Sequence, residues 1–532
     1  MSLSDLEGNY DVVVCGTGLT ESLISGSLAQ MKNKLIHFDK SFDYGGCRKS
    51  KGFNDFLKWV GENGEIIIDN SQEKLSQPVR NSSYGFDLMP IALFSRDDLI
   101  QVLIDNKSFQ ALDFYLLEGM YFRTKDSFRL IPSSKSSIFT DKTIPLRQKR
   151  VVMKFISYFF PKEEYGHTTD NEDVEEAVKK FNDRPFSELL KELRFDEDLN
   201  GAFEYFVALA TEPILTRDAI PKIREFCNSF GRWGATPFIT VSYGSADLPQ
   251  VFCRHSAVYG ATFVLQHYPN NIEREEFFAP PEDENKDDAK DENKDDAKET
   301  QEPKKYTLKL NVEELGTIRA RHLIITPEHF PETTEQKLIA HREALLLSAP
   351  LLPEKRSVAV VAPGVLGNDK PVYIFQFDST FRICPEGQYV VHVSSMVPIR
   401  EIVDKFVSEL PEDSIILRTA FTLKENIIPP MEDVYVVQSP SLDELSFGTN
   451  FFIKQAREIL EKINPDYIFY PAPTEVEVMI DEDETPATQE TPAEQETPAT
   501  QETPATQETP EAQETPATQE TQETQEAEKQ EN

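Results

Sequence analysis

Cysteine is scarce in this chain of 532 residues. The five cysteines, Cys15, Cys47, Cys227, Cys253 and Cys384, stand singly, with no CxxC pair and no Cys/His cluster at metal-ligand spacing. That excludes a disulfide scaffold and a zinc module, and a reducing compartment is expected. No run of eighteen apolar residues occurs, so no membrane span is expected, and the N-terminal MSLSDLEGNYD lacks the apolar stretch of a secretory signal. The final KQEN carries no prenylatable cysteine. The eight histidines form no HExxH or His-x-His pattern, and no GxSxG elbow is present, so catalysis finds little support. Positive charge is in deficit: 55 Lys+Arg stand against 92 Asp+Glu, a formal charge of −37. Nucleic acid is thereby excluded as a partner, since phosphate recognition needs a cationic surface. A soluble cytoplasmic protein is expected.

Much of the acid lies in two low-complexity tracts. From Asp481 to Asn532 there are sixteen acids and one lysine, in a six-residue repeat with ETPATQ at Glu484, Glu496, Glu502 and Glu514. Such a tract buries too little apolar area to offset chain entropy, so residues 481–532 are expected to be a disordered tail. A second acidic tract, residues 278–305, repeats DENKDDAK in tandem at Asp283 and Asp291 and is expected to be a disordered, solvated excursion between strands.

What remains has the pattern of a mixed α/β protein. DVVVCGTGLTESLISGSLAQ gives an apolar strand, a glycine turn and a helix, and KLIHFDK gives a second strand ending on Asp39. This is the βαβ opening of a Rossmann-type dinucleotide fold. From about Ser95 to Arg224 the pattern is mostly helical, including PLRQKRVVMKFISYFF and NEDVEEAVKKFNDRPFSELLKEL. Strand-like runs return from Phe238, and the amphipathic FFIKQAREILEKI follows at Phe451 to Ile463. The expected organisation is a discontinuous α/β domain over residues 1–110 and 225–480, with a helical domain over 111–224 inserted in it.

The glycine turn departs from a working dinucleotide fingerprint, whose third glycine lets helix and strand pack closely. Gly16 and Gly18 fill the first two places, but Glu21 fills the third. A carboxylate there crowds the contact and places negative charge where a helix N-terminus would draw a pyrophosphate. At about 4 Å, like charges near a protein surface repel by roughly 4 kcal/mol. Use of the fold without a cofactor is the expectation. Asp39 stands where a ribose-binding acid would, so a flavin or nicotinamide oxidoreductase is the remote alternative.

GTGLTES with the Asp39 strand, the Tyr44-Gly45-Gly46 triplet and YGSADLPQVFCRHSAVYGATFVL (Tyr243 to Leu265) together resemble the Rab escort protein and Rab GDP-dissociation inhibitor superfamily. Two further stretches, IFTDKTIPLRQKRVVMKFISYFF (Ile138 to Phe160) and FRICPEGQYVVHVSS (Phe381 to Ser395), resemble its fungal-type escort proteins. The resemblance implies a fold like that of the FAD monooxygenases but without the flavin. It also implies a non-catalytic accessory component of Rab geranylgeranyltransferase. Such a component binds GDP-bound Rab GTPases, presents them to the catalytic α/β heterodimer and carries the geranylgeranylated product to a membrane, touching that membrane only during delivery. The related alternative is a dissociation inhibitor that recycles prenylated Rab.

By this resemblance Tyr44, Asp247, Arg254 and Thr262 form the Rab-binding platform, with Asp247 where the family has glutamate. Asp247 and Arg254 lie two helical turns apart on one face, so an internal salt bridge is the competing reading. Arg232, in GRWGATPF, matches a mobile loop that follows the GTPase's C-terminal segment; a rigid turn with Trp233 in the core is the alternative. Phe155, Tyr158 and Phe159 are candidates for docking the transferase, with Phe155 expected to face outward, against a core role for each. The prenyl chain, at about 0.8 kcal/mol per buried methylene, needs an apolar groove, with candidate linings around Leu99 to Leu117 and Val151 to Phe160. No Asp/Cys/His set suggests the zinc of a prenyltransferase, and no other metal site is expected.

Overall fold

The opening strand β1 (Gly8–Cys15) reads as a continuous apolar run because both its faces are covered. Val12 and Val14 pack with helix α1 (Leu19–Gln30), while Val13 and Cys15 join a second cluster on the opposite face. Every residue of α1 is buried, so the helix carries almost no amphipathic signal of its own. Parallel to β1 on one side lies β2 (Leu35–Asp39), followed by Thr262–Leu265; on the other side lies Gly316–Ile325, also parallel. An antiparallel extension, Lys304–Val312 then Pro269–Ala279, completes the row, and Val434–Val436 pairs parallel with Gly316–Ile325. The helix α2 (Asp247–Val258) lies against α1, and the Ser25 and Ser256 hydroxyls meet at 2.6 Å.

This computed structural model describes residues 3–131, 135–160, 172–279, 304–330, 335–411, 413–428 and 430–470, all within one compact unit, Met1–Pro473. Both the repeat tail and residues 280–303 of the acidic tract lie outside the described residues. The paired strands that flank the tract run out to Ala279 opposite Lys304.

A second sheet of eight strands is ordered Gly64–Asp69, Ile415–Asn426, Gln336–Leu347, Tyr389–Ser395, Val372–Phe377, Ser357–Val361, Gly119–Arg123 and Phe128–Leu130. All its neighbours are antiparallel except Ser357–Val361 beside Gly119–Arg123. A small sheet of Leu93–Phe94, Phe238–Val241 and Phe114–Leu116 adjoins the glycine-rich loop at Gly231.

The stretch expected to be helical is therefore interrupted. Asp98–Asp105 is a helix, capped by the Asp97 side chain on the Leu99 N–H, but Phe114–Leu116, Gly119–Arg123 and Phe128–Leu130 are strands. Their aromatic residues satisfy sheet partners distant in sequence, and that pairing overrides local helix preference. Beyond Ile131 helices dominate: Leu146–Phe159, Glu172–Lys180, Phe186–Glu192, Glu197–Ala202 and Thr216–Asn228. Among the described residues no helix is long and apolar enough to cross a membrane.

Candidate functional site: a polar face beside a filled glycine turn

The turn after β1 is closed by its own side chains. Gly16 has φ +119°, a conformation that favours glycine, and Gly18 precedes the first turn of α1. Glu21 folds back over both: a Cβ on Gly18 would lie 2.6 Å from Glu21 Oε2, and one on Gly16 would lie 3.0 Å from Oε1. The Thr326 hydroxyl donates to the Glu21 carboxyl. Burial pushes Glu21 up to about 7, so near neutral pH it is partly protonated. Glu21 therefore does not carry the full negative charge expected from the sequence. Glu21 closes the turn chiefly by occupying it.

Asp39 is also consumed. Fully buried, it accepts from the Thr17 hydroxyl at 2.7 Å and the Ser41 N–H at 2.8 Å, with His329 Nε2 at 3.4 Å and Lys49 Nζ at 3.8 Å. Burial alone would raise its carboxyl; His329 and the Lys49 charge reverse this and hold it well below the usual range. Asp39, Glu328 and His329 are close enough together to hold a metal ion, but the Lys49 ammonium lies 3.7 Å from Glu328 as well, standing where a cation would. The cleft left beside the turn measures about 80 Å³, bounded by Gly18, Glu21, Cys47, Thr326 and Phe452, against several hundred for ordinary ligand pockets. These residues do not fit a dinucleotide. Glu21→Gly is accordingly expected to bind no stoichiometric flavin, because Asp39 stays engaged; dialysis against flavin and visible absorption check this.

The four residues expected to form the platform sit on adjoining elements. The Tyr44-Gly45-Gly46 triplet meets the start of α2 edge to edge. Gly45 has φ +115°, and a Cβ there would lie 3.2 Å from Ala246 Cβ. Asp87 fixes this junction, accepting from the Ser245 N–H at 3.0 Å, from the Ser245 hydroxyl at 2.7 Å and from the Ser50 hydroxyl. The half-buried Tyr44 ring lies 6.3 Å from Phe263, the residue after half-buried Thr262. Asp247 stands in the first turn of α2 and exposed Arg254 near its end. No ion pair joins them, and neither pairs with any other described residue, which removes the internal salt bridge as an account of the two. Burial, and then the Asp87 carboxylate, push Asp247 up to about 6.

Sequence reasoning missed the neighbours of this face. Tyr243 is half exposed in the left-handed region (φ +61°), and its hydroxyl accepts from Arg382, which also pairs with Asp113 at 3.2 Å. Both Tyr243 and Arg382 fall inside motifs that mark the resemblance, but nothing local joins residues so far apart in sequence. Phe42, two residues before Tyr44, is 71% exposed.

Around Gly231 the core alternative is overturned. Trp233 is 45% exposed, so it is not core. Arg232 stacks on it with 4.4 Å to the ring centroid and donates to the Ser95 carbonyl at 2.8 Å, which fastens the loop to the start of the Asp98 helix. Trp233, Phe114, Tyr115, Leu116, Ile239 and Arg356 line an open groove of about 350 Å³.

The outward Phe155 expected from the sequence is corrected by the fold. Phe155 is 1% exposed, packed at 4.9–5.6 Å between ring centroids against Phe159, Phe195 and Phe203. Val152, Phe155, Ile156 and Phe159 recur at helical spacing and form the buried stripe of the Leu146–Phe159 helix, with Phe159 buried too and Tyr158 half-buried. Phe155, Ile156 and Phe159 close on Phe203, Ile223, Phe226 and Phe230 around an apolar cavity of about 10 Å³. The large apolar side chains that do face outward here are Phe139 and Leu146, each 62% exposed.

Comparison with known proteins agrees with this architecture. The family described as GDP dissociation inhibitor matches residues 6–278. A Drosophila melanogaster protein named Rab proteins geranylgeranyltransferase component A is 26% identical, covering 91% of this chain and 94% of its own length. The Saccharomyces cerevisiae protein of the same name is 27% identical, over 72% of this chain and 61% of its own length. A Saccharomyces cerevisiae Rab GDP-dissociation inhibitor is 25% identical, over 75% and 82%. The crystal structure of a Rab GDI from Plasmodium falciparum superposes with a TM-score of 0.64 over 87% of this chain and 99% of that one, at 17% identity, and shares the fold. With a filled glycine turn and a family match over more than half its length, this chain belongs to the GDP dissociation inhibitor family.

Proposed function

We propose that this chain is a Rab escort protein. It binds GDP-loaded Rab GTPases on the face formed by Tyr44, Asp247, Arg254 and Thr262. It presents them to the α/β heterodimer of Rab geranylgeranyltransferase and carries the prenylated product to membranes, without catalysing the transfer. The observation that carries the choice of escort is coverage: the alignment with the fly component A extends over 91% of this chain, against 75% with the yeast dissociation inhibitor. Recycling of prenylated Rab is the second reading, favoured by the family description and the shared fold. A pull-down of transferase by this chain loaded with unprenylated GDP-bound Rab separates them; an escort retains the heterodimer and a recycling inhibitor does not.

An exposed arginine free of internal ion pairs, beside a tyrosine and a carboxyl, suits the mixed polar surface of a GTPase's switch loops. Binding one switch conformation preferentially slows nucleotide release. The carboxyl gives a pH signature. Asp247 must be ionised to pair with a partner cation, and its pKa of about 6 in the free protein leaves it charged above that value. Rab affinity is therefore expected to fall as pH drops through 6, with at most one proton taken up on dissociation, and Asp247→Asn to flatten that limb of a calorimetric pH series.

The closed aromatic cavity between the Leu146–Phe159 and Thr216–Asn228 helices supports a lipid role for the helical segment, which opens to admit a prenyl chain. Transferase docking belongs to the outward Phe139 and Leu146, since Phe155 is committed to the core.

A further inference from the structure

The turn and helix around Phe139 stand out electrostatically. Residues 142–150 carry Lys142, Arg147, Lys149 and Arg150 and no acid, in a chain whose formal charge is −37. None of the four forms an ion pair among the described residues; Lys149 donates to the Phe139 carbonyl at 2.8 Å. That contact holds the base of Phe139 against the helix. Leu146 and Arg150 are one turn apart and share a face. Two protruding apolar side chains are thus set among unpaired cations.

We propose that this face seats the protein on an anionic lipid bilayer, with Phe139 and Leu146 entering the headgroup layer and Lys142, Arg147, Lys149 and Arg150 above it. Because the transferase uses the same face, membrane contact follows its departure. That ordering rests on the docking reading given under Proposed function; the lipid contact does not. The one acid of the turn, Asp141, is engaged by the Thr143 N–H at 2.7 Å and the Thr143 hydroxyl at 2.6 Å, so the four cations have no fixed complement, and mobile lipid headgroups supply anions in any register. Screening over about 8 Å at physiological ionic strength hides the acidic remainder of the chain from the bilayer, so the local charge decides. Apolar insertion adds to it.

The test is co-sedimentation of the full chain with vesicles of phosphatidylcholine plus phosphatidylserine, and of phosphatidylcholine alone. Binding is expected on the anionic vesicles only and is expected to weaken with salt. Arg147→Glu with Arg150→Glu should lose at least about tenfold in binding, and Phe139→Ser should weaken it with thermal unfolding unchanged. Equal binding to both vesicle types, or an Arg147/Arg150 variant that binds like the native chain, overturns the proposal. Saturating transferase is expected to displace the chain from vesicles. Vesicle binding that persists with transferase bound refutes the shared face and its ordering, whereas failure to bind transferase in solution refutes the escort reading and leaves the lipid result to be judged alone.

Discussion

Phe155→Ala is expected to destabilise the protein by about 3–5 kcal/mol, the usual cost of deleting a buried phenylalanine ring and leaving its cavity. Its ring touches Phe159 of its own helix, Phe195 in the turn before Glu197–Ala202, and Phe203 just after that helix, so the loss spreads through the helical segment that holds the apolar cavity. Phe139→Ala removes a ring that is mostly in water and should leave stability within about 0.5 kcal/mol. Transferase binding should show the reverse, with Phe139→Ala weakening it by about tenfold or more, as for an exposed aromatic anchor. Chemical denaturation and transferase titration on the same two variants check the pair. A stable Phe155→Ala that alone fails to bind transferase would restore the outward reading of that residue.

The second large effect is at Arg254. With no internal ion pair to lose, Arg254→Ala should leave the fold unchanged. Removal of an interface arginine that serves as a hot spot costs about 2–4 kcal/mol, so Rab affinity should fall by roughly 30-fold to 1,000-fold. Arg254→Lys restores charge without the planar fork and should recover only part of the loss. Titration calorimetry with GDP-loaded Rab measures both. Asp247→Ala should be milder at pH 6, where half of its carboxyl is already neutral.

The reach of the sequence is clearest at the N-terminus. The βαβ opening and the departure at Glu21 are legible there because each depends on local pattern, whereas the grouping of Tyr44 with the Asp247–Arg254 helix, some two hundred residues on, comes only through the family resemblance. The strands Gln336–Leu347 and Ile415–Asn426, central to the larger sheet, left no such trace. Both carry charged residues that are buried: Arg342, 1% exposed, donates to the Leu88 carbonyl at 2.9 Å and to Ser394 Oγ at 2.7 Å, and Arg418 pairs with Glu343 at 2.7 Å. Such charges read as solvent-facing until their partners, distant in sequence, are known. The family resemblance, rather than its own pattern, places Phe155 outside. The helical spacing of Val152, Phe155, Ile156 and Phe159 marks one stripe that leaves Tyr158 off it, and the packing of Phe195 and Phe203 shows that this stripe is the core face. Glu21 shows a subtler limit: its position was evident, but burial alters its charge, and so changes the reason the turn is closed.

Reconstituted prenylation tests the central claim most directly. Unprenylated GDP-loaded Rab, the purified transferase heterodimer and geranylgeranyl diphosphate are combined with and without this chain, and lipid incorporation into Rab is followed. The account predicts transfer that depends on the chain, falls sharply with Arg254→Ala or Phe139→Ala, and is absent when the chain is supplied without the heterodimer. Transfer at the same rate without the chain, or no transfer in its presence although it binds prenylated Rab, would contradict the escort role.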